Sequence, residues 1–137
     1  MTFAALVLLT FRTLQAGSYA TVTPPAAKLM VVRDAATLRS LWHGNEAPPP
    51  IDFDKDVVVV LFAGQKNTGG YSVEVKRVNT KGKTAIVHAH VQGPPRGGMV
   101  TQALTSPYVA IAFPRSAATR VRWVDGTRVI GEEKLRP

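Results

Sequence analysis

The chain of 137 residues contains no cysteine, few acidic residues and few aromatic ones. Without cysteine there are no disulfides, no thiolate nucleophiles and no cysteine-ligated zinc or iron–sulfur sites. Hydrophobic residues make up 45% of the chain, which is too high a fraction for a disordered protein and is normal for a globular one. Since half of this length would build a poor core, we expect one domain over residues 1–137.

Carboxylates are scarce relative to cations: nine acidic side chains face 17 basic ones, and the net charge is +8. Such a balance raises the possibility of an anionic polymer as partner. The basic residues, however, are scattered from Arg12 to Arg136 and are not interleaved with the aromatics that stack on single strands. The pattern therefore favours a solvated basic surface, with a weak attraction to anionic envelope surfaces and no specific nucleic-acid site.

An apolar run at residues 3–9 is too short to span a bilayer, so the sequence predicts no transmembrane segment. The run has the length of a signal-peptide core, and Ser18-Tyr19-Ala20 could serve as a cleavage site, but no Lys or Arg precedes it. Alternatively it is a buried first strand, which residues 10–15 continue with alternating faces. Both interpretations remain open, and the strand is slightly favoured.

What is present is mostly strand-forming sequence. Residues 57–64 are apolar on both faces and predict a central strand that is covered on both sides. One helix is expected at residues 35–43, with Asp34 as N-cap and Gly44 as C-cap. Further strands are expected at residues 29–32, 71–78, 84–91, 100–104 and 108–113, with a turn at Lys81-Gly82-Lys83.

The Asp125-Gly126 pair predicts a two-residue turn inside a C-terminal β-hairpin at residues 120–130. With about eight or nine short strands and one helix, the predicted fold is mainly β (α+β). We expect a small antiparallel β-sandwich or a half-open barrel, with one capping helix near residues 35–43.

Catalytic and metal-binding patterns are missing. The sequence contains no Gly-x-Ser-x-Gly elbow, phosphate-cradling loop or zinc-protease helix. Asp52, Asp54 and Asp56 fit capping and turn roles. His88 and His90 project from one face of a strand, but a third metal ligand such as His43 is not placed nearby, so two solvent-facing histidines are favoured. We expect no catalytic residues, no metal and no cofactor.

The glycine turn, residues 67–71, is the most distinctive segment. Paired glycines permit positive φ and let another backbone or a ligand approach closely. The turn is interpreted equally well as a tight hairpin that anchors Tyr71 in the core and as a rigid protruding loop for docking.

Together with its surroundings this turn resembles a known family. The matching residues are Asp52-Phe53, Val57-Val58-Val59, Gly64, residues 68–75 and residues 97–108, with upstream likeness at Gly17-Ser18, residues 31–34 and Leu41-Trp42. They resemble the C-terminal domain of PrcB, an accessory subunit of a secreted bacterial protease complex. The resemblance covers residues 11–115. Asn67 stands where the family often has proline, which leaves the turn less preset.

The resemblance implies an exported, non-catalytic module that assembles with or stabilises a protease or another envelope protein, in the periplasm, in the cell envelope or outside the cell. As its partner-binding residues we predict Asn67, Thr68, Gly69, Gly70, Tyr71, Arg96, Gly97, Gly98, Pro107 and Tyr108. As an alternative, residues 67–72 are similar to the first loop of chagasin-type cysteine-protease inhibitors, and residues 93–98 to their glycine-rich second loop. The Arg-Pro-Trp loop of those inhibitors has no counterpart here.

Overall fold

The computed structural model describes residues 6–135 and contains one helix and nine strands in that range. The helix is α1 (Ala35–Leu41). The strands are β1 (Leu6–Leu9), β2 (Arg12–Gly17), β3 (Lys28–Val32), β4 (Asp56–Phe62), β5 (Ser72–Lys81), β6 (Thr84–Gln92), β7 (Tyr108–Pro114), β8 (Arg120–Asp125) and β9 (Arg128–Lys134).

The strands form two sheets. The first has the order β1-β5-β6-β8-β9 and the second β2-β7-β4-β3. All neighbouring pairs are antiparallel except β6 and β8, which run parallel. A parallel pair needs a crossover, and here the connection from β6 to β8 passes through β7 of the other sheet. The predicted mainly-β sandwich with one short helix is confirmed, and the two sheets do not close into a barrel.

Strand β4 is covered on both faces, as its all-apolar sequence predicts. Val57, Val59 and Leu61 point into the core between the sheets, which also encloses the fully buried Trp123. The indole N–H of Trp123 donates to the carbonyl of Ala89 at 2.9 Å, so burial leaves its polar atom satisfied.

The alternate residues of β4 belong to a second core on the outer face of its sheet. Val58 and Val60 pack there with Leu38 of α1, so the helix covers a sheet face. Asp34 caps the helix by accepting from the Thr37 amide at 2.7 Å. The helix ends at Leu41, two residues earlier than predicted, because Trp42 is already extended with ψ 133°. Gly44, the expected C-cap, therefore lies beyond the helix.

The N-terminal apolar run does not form one buried strand. Residues 3–5 lie outside the described residues, and the remainder divides at Thr10-Phe11 into β1 and β2, which belong to different sheets. Strand β1 is an edge strand on which Leu6 and Leu8 are 70% and 74% exposed. The prediction of burial is wrong because β1 is an edge strand that pairs with β5, and nothing within residues 6–135 covers these two side chains.

Both hairpin predictions have counterparts in the structure. The β5–β6 turn places Gly82 at φ +60°. In the β8–β9 hairpin Asp125 pairs with Arg128, so Gly126 and Thr127 form the loop, one residue later than predicted. Gly126 has φ +63° and Thr127 does not share the positive φ, which is the pattern of a type II′ turn. The strand expected at residues 100–104 is absent, since that segment belongs to a loop without regular structure.

Candidate functional site

Three loops meet at one end of the sandwich, and we call this the loop end: residues 18–27, 63–71 and 93–107. The pairings explain the meeting, because Tyr108 at the start of β7 lies opposite both Gly17 and Phe62, the last residues of β2 and β4. Likewise Ser72 at the start of β5 lies opposite Gln92 at the end of β6. All three loops therefore connect strand ends that lie at the same end of the sandwich.

Backbone hydrogen bonds join the three loops into one frame. Lys66 and Thr105 exchange amide-to-carbonyl bonds of 2.8 and 2.9 Å, and the Gly69 amide donates to Thr101 at 2.9 Å. The first loop is attached by three bonds. The Ser106 amide donates to the Ser18 carbonyl at 2.7 Å, the Ala20 amide to the Ser106 carbonyl at 3.0 Å, and the Gln65 amide to the Pro24 carbonyl at 3.1 Å. Because these bonds are between loops, the loop end has a defined shape without regular secondary structure.

The glycine turn packs directly on the loop that follows β6. Gly70 has φ +89°, and a Cβ atom there would lie 2.7 Å from Pro94 Cβ. A Cβ on Gly69 would meet Thr101 at an ordinary 3.5 Å. Tyr71 is half-buried, with its ring beside Gly93 and the Lys66 ammonium 5.3 Å from the ring centroid. Tyr71 thus anchors the turn, while the turn itself remains at the surface.

Apolar side chains are exposed on this frame. Of the eight large hydrophobic residues that stand out to solvent among residues 6–135, four belong to the loop end: Tyr19, Val22, Met99 and Leu104. Met99 is fully exposed and Leu104 is 61% exposed. The three loops contain no Asp or Glu and two cations, Lys66 and Arg96. The loop end is therefore an apolar surface of slightly positive charge, which is typical of an interaction site.

The structure brings most of the predicted site residues together here. Asn67, Thr68, Gly69, Gly70 and Tyr71 lie on one loop, and Arg96, Gly97 and Gly98 are exposed on its neighbour. Their role in binding stays a prediction. The sequence analysis missed Tyr19, Val22, Met99 and Leu104, although an apolar residue between turn residues, as in Gly98-Met99, is a usable signal for a surface contact.

Pro107 and Tyr108 do not share this exposure. Both are buried, and β7, which begins at Tyr108, lies between β2 and β4 and not at a sheet edge. The Tyr108 hydroxyl donates to Gln15 Oε1 at 2.9 Å, and burial raises the pKa of Tyr108. Gln15 in turn bonds the backbone of His43 through both amide atoms. Tyr108 thus has structural contacts: its side chain packs in the second core, and its hydroxyl links β7 to Gln15 of β2.

The two histidines of β6 have separate partners. His88 Nε2 donates to Asn79 Oδ1 at 2.6 Å, and burial together with the Arg77 charge lowers the pKa of His88. His90 Nδ1 lies 2.9 Å from Asp125 Oδ2. Within the described part of the chain, no group of three or more His, Asp or Glu side chains is placed to hold a metal ion.

Asp52, Asp54 and Asp56 lie at the turn that leads into β4, and Asp56 is the first residue of that strand. Asp52 Oδ1 accepts from the Asp54 amide at 3.0 Å, and the Asp52 carbonyl accepts from Lys55 and Asp56. Asp56 lies 3.7 Å from Arg12. The contacts of Asp52 fit the turn role expected from the sequence, and Asp56 is placed as an ion-pair partner of Arg12. Among residues 6–135, no helix has the length and apolar character required to cross a membrane.

Fold and surface together define a class: a two-sheet β domain that presents three joined loops, with exposed apolar side chains, at one end. A comparison with protein families adds a name to its central part. The family model described as PrcB C-terminal matches residues 57–114, from the start of β4 to the end of β7, and confirms the predicted resemblance over that segment. Two of the three loops of the loop end fall inside the match. No curated protein and no solved structure matches the chain.

Proposed function

We propose that this chain is a non-catalytic accessory module that binds a protein partner through its loop end. The observation that carries the proposal is the exposure of Tyr19, Val22, Met99 and Leu104 on a hydrogen-bonded frame without carboxylates. Exposed apolar side chains next to rigid loops bury area on binding at little ordering cost.

The family match supports a protein as the partner, since the PrcB C-terminal family is an accessory-type domain of a protease complex. We propose that the partner is a secreted protease or another envelope protein and that this module is exported. Residues 57–114 include the glycine turn and the loop after β6, so the matched segment and the proposed surface overlap.

A shallow apolar groove of about 520 Å³ extends the proposed contact. It lies mostly on the first loop of the loop end and continues onto the start of β3. Its lining is Val22, Pro24, Pro25, Ala26, Ala27, Lys28 and Met30. The groove contributes Lys28 and no carboxylate, as the three loops do. A partner surface that combines apolar side chains with carboxylates would complement the loop end and this groove.

Site-specific photo-crosslinking in the envelope fraction of the native host tests the proposal. A crosslinker at position 96, which is exposed on the same loop, should capture a defined protein. The double variant Met99→Ser/Leu104→Ser with the same crosslinker should weaken that complex by roughly tenfold or more, because two exposed apolar side chains lose their burial. Val129→Ser is the matched control, since Val129 is 55% exposed on β9, outside the loop end. Equal capture by wild type and double variant would refute the proposed surface.

Inhibition of cysteine proteases is a second candidate. The contact of the glycine turn with the loop containing Pro94 favours it, because it brings the two inhibitor-like loops side by side. Titration of papain-like proteases with the pure protein tests it directly. A flat activity curve at stoichiometric excess would leave the accessory role as the proposal.

A further inference from the structure

A second pocket lies at the opposite end of the sandwich from the loop end. It has a volume of about 280 Å³ and is formed where β3 ends and β4 begins, beside Arg115 after β7 and Leu135 after β9. This volume is slightly below the range of about 300–1,000 Å³ that is typical of small-molecule sites. The pocket therefore accommodates one group of about the size of an amino-acid residue.

The lining combines apolar walls with two guanidinium groups. Val31, Val57 and Leu135 are buried and Phe53 is half-buried, while Arg33 and Arg115 supply positive charge. A single carboxylate, Asp54, also lines the pocket. Such a lining suits a ligand with an apolar part and one negative charge, because a guanidinium group binds carboxylates through a matched pair of N–H donors.

Arg115 has unused donors. Its Nη2 donates to the Phe53 carbonyl at 2.9 Å, and its backbone amide donates to Lys55 at 2.8 Å, which holds the residue in place. The Nε atom, however, is buried and has no hydrogen-bond partner among residues 6–135. A guanidinium carries five N–H donors, and a buried donor without an acceptor is costly. Because Nε itself is closed to solvent, a ligand in the pocket would bind the Nη donors of Arg115.

Arg33, directly after β3, lines the same pocket and supplies a second guanidinium group. It is exposed, and its Nη2 donates to the Lys134 carbonyl at 2.7 Å, so the side chain is oriented and has donors left over. The nearby Glu133 carboxylate accepts from the Val31 amide at 3.2 Å. No ion pair joins Arg33 or Arg115 to a described carboxylate, so both charges remain available.

We propose that this pocket binds a free carboxylate carried next to an apolar side chain, the arrangement found at the C-terminus of a peptide and in N-acyl amino acids. The carboxylate contacts Arg115 and Arg33, and the apolar side chain lies against Val31, Val57 and Leu135. Asp54 opposes the ligand charge and limits the affinity. The site is separate from the loop end and does not depend on the function proposed for it.

Calorimetric titration at pH 7 with three probes tests the proposal. N-acetyl-leucine and a short peptide ending in leucine both carry the recognised group, and their relative affinity shows which source the pocket prefers. N-acetyl-leucinamide has the same apolar part without the charge. We expect saturable binding of the first two and at least tenfold weaker binding of the amide, because charge-assisted hydrogen bonds are lost.

Variants locate the binding. Arg33→Gln should weaken it roughly tenfold, and Arg115→Lys should weaken it while keeping a positive charge, since lysine lacks the paired donors. Asp54→Asn should strengthen binding severalfold by removing the opposing charge. Arg128→Gln is the control, because it removes one exposed cation from the β8–β9 hairpin, outside the pocket.

The proposal would be overturned if neither N-acetyl-leucine nor the peptide binds, or if the amide binds as tightly as the acids. Equal losses of affinity in Arg33→Gln and Arg128→Gln would also overturn it. Arg115→Lys needs a check of folding by circular dichroism, because Arg115 also supports the turn at Phe53. If that variant does not fold, Arg33→Gln and Asp54→Asn still decide, since both alter exposed side chains.

Discussion

The side chain of Pro94 occupies the space that a Cβ atom on Gly70 would need. The two carbons would lie 2.7 Å apart, and Val100 Cγ1 would lie 3.0 Å away on another side. Gly70 also has φ +89°, a conformation that residues with a Cβ rarely adopt. The second glycine of the turn is therefore required for the two loops to pack together, whatever the turn binds.

Alanine substitution should affect the free energy of unfolding differently at the two glycines of the turn, Gly69 and Gly70. Gly70→Ala should lower the free energy of unfolding by about 2–4 kcal/mol, because it adds backbone strain and a steric clash. Gly82→Ala, at φ +60° with nothing within 4 Å, should cost about 1–2 kcal/mol from strain alone. Gly69→Ala should be tolerated. Urea denaturation measures all three, and equal losses at positions 70 and 82 would contradict the packing argument.

Trp123→Phe should destabilise the core. The change removes the N–H that satisfies the Ala89 carbonyl and leaves a void in a fully buried site. We expect a loss of about 2–4 kcal/mol in the free energy of unfolding. The comparison is Trp42→Phe, a half-buried indole on the second core, which should cost less than about 1.5 kcal/mol. Thermal and urea denaturation should rank the two in this order; the reverse ranking would refute it.

The exposure of β1 predicts how it tolerates change. Leu8→Ala should alter the free energy of unfolding by less than about 0.5 kcal/mol, because Leu8 is 74% exposed. Leu61→Ala, in the middle of β4 and fully buried, should cost about 2–5 kcal/mol. Urea denaturation measures both variants. Equal losses for Leu8→Ala and Leu61→Ala would contradict the exposure of β1.

Stability should fall on acidification because of His88. Burial and Arg77 hold the pKa of folded His88 below its ordinary value of 6.5, so the unfolded chain binds this proton more readily. The contribution of neutral His88 to the free energy of unfolding is complete above the pKa of the unfolded chain. It is lost as the pH falls through the pKa of His88 in the folded protein. We therefore expect a lower free energy of unfolding at pH 5.5 than at pH 7.5.

His88→Gln keeps a donor for Asn79 and removes the titration, so it should reduce that difference. The control is His43→Gln, which changes an exposed side chain. NMR titration of the His88 ring provides a direct check: an inflection above 6.5 would contradict the prediction.

The strands and the helix were largely predictable because their signals are local. The all-apolar run before Phe62 predicted a strand covered on both faces, and Asp34 predicted the helix start through a contact with Thr37, three residues away. The sequence-based predictions fail where contacts with residues distant in the chain determine the local conformation. Trp42 has an extended ψ and packs against the second core, so the helix ends before it. The segment 100–104 hydrogen-bonds to the glycine turn through Thr101 and does not join a sheet.

The glycine turn was visible in the sequence, and the surface around it was not. Tyr19 and Leu104 are 85 positions apart in the chain, and the backbone bonds of Ala20 and Ser106 bring their loops together. The same limitation applies to Arg33 and Arg115, which share a pocket because β3 and β7 flank β4. Neither grouping follows from spacing along the chain.

The sequence by itself determined the class of fold, the turn and the family resemblance, because periodicity, capping and turn chemistry act over a few residues. Apart from β4, whose apolar run already predicted cover on both faces, tertiary structure decided which segments are exposed. It assigned β1 to an open edge, buried Pro107 and Tyr108 between β2 and β4, and exposed Met99. Exposure depends on which distant strand packs alongside, and that is a property of the assembled sheets and not of any segment.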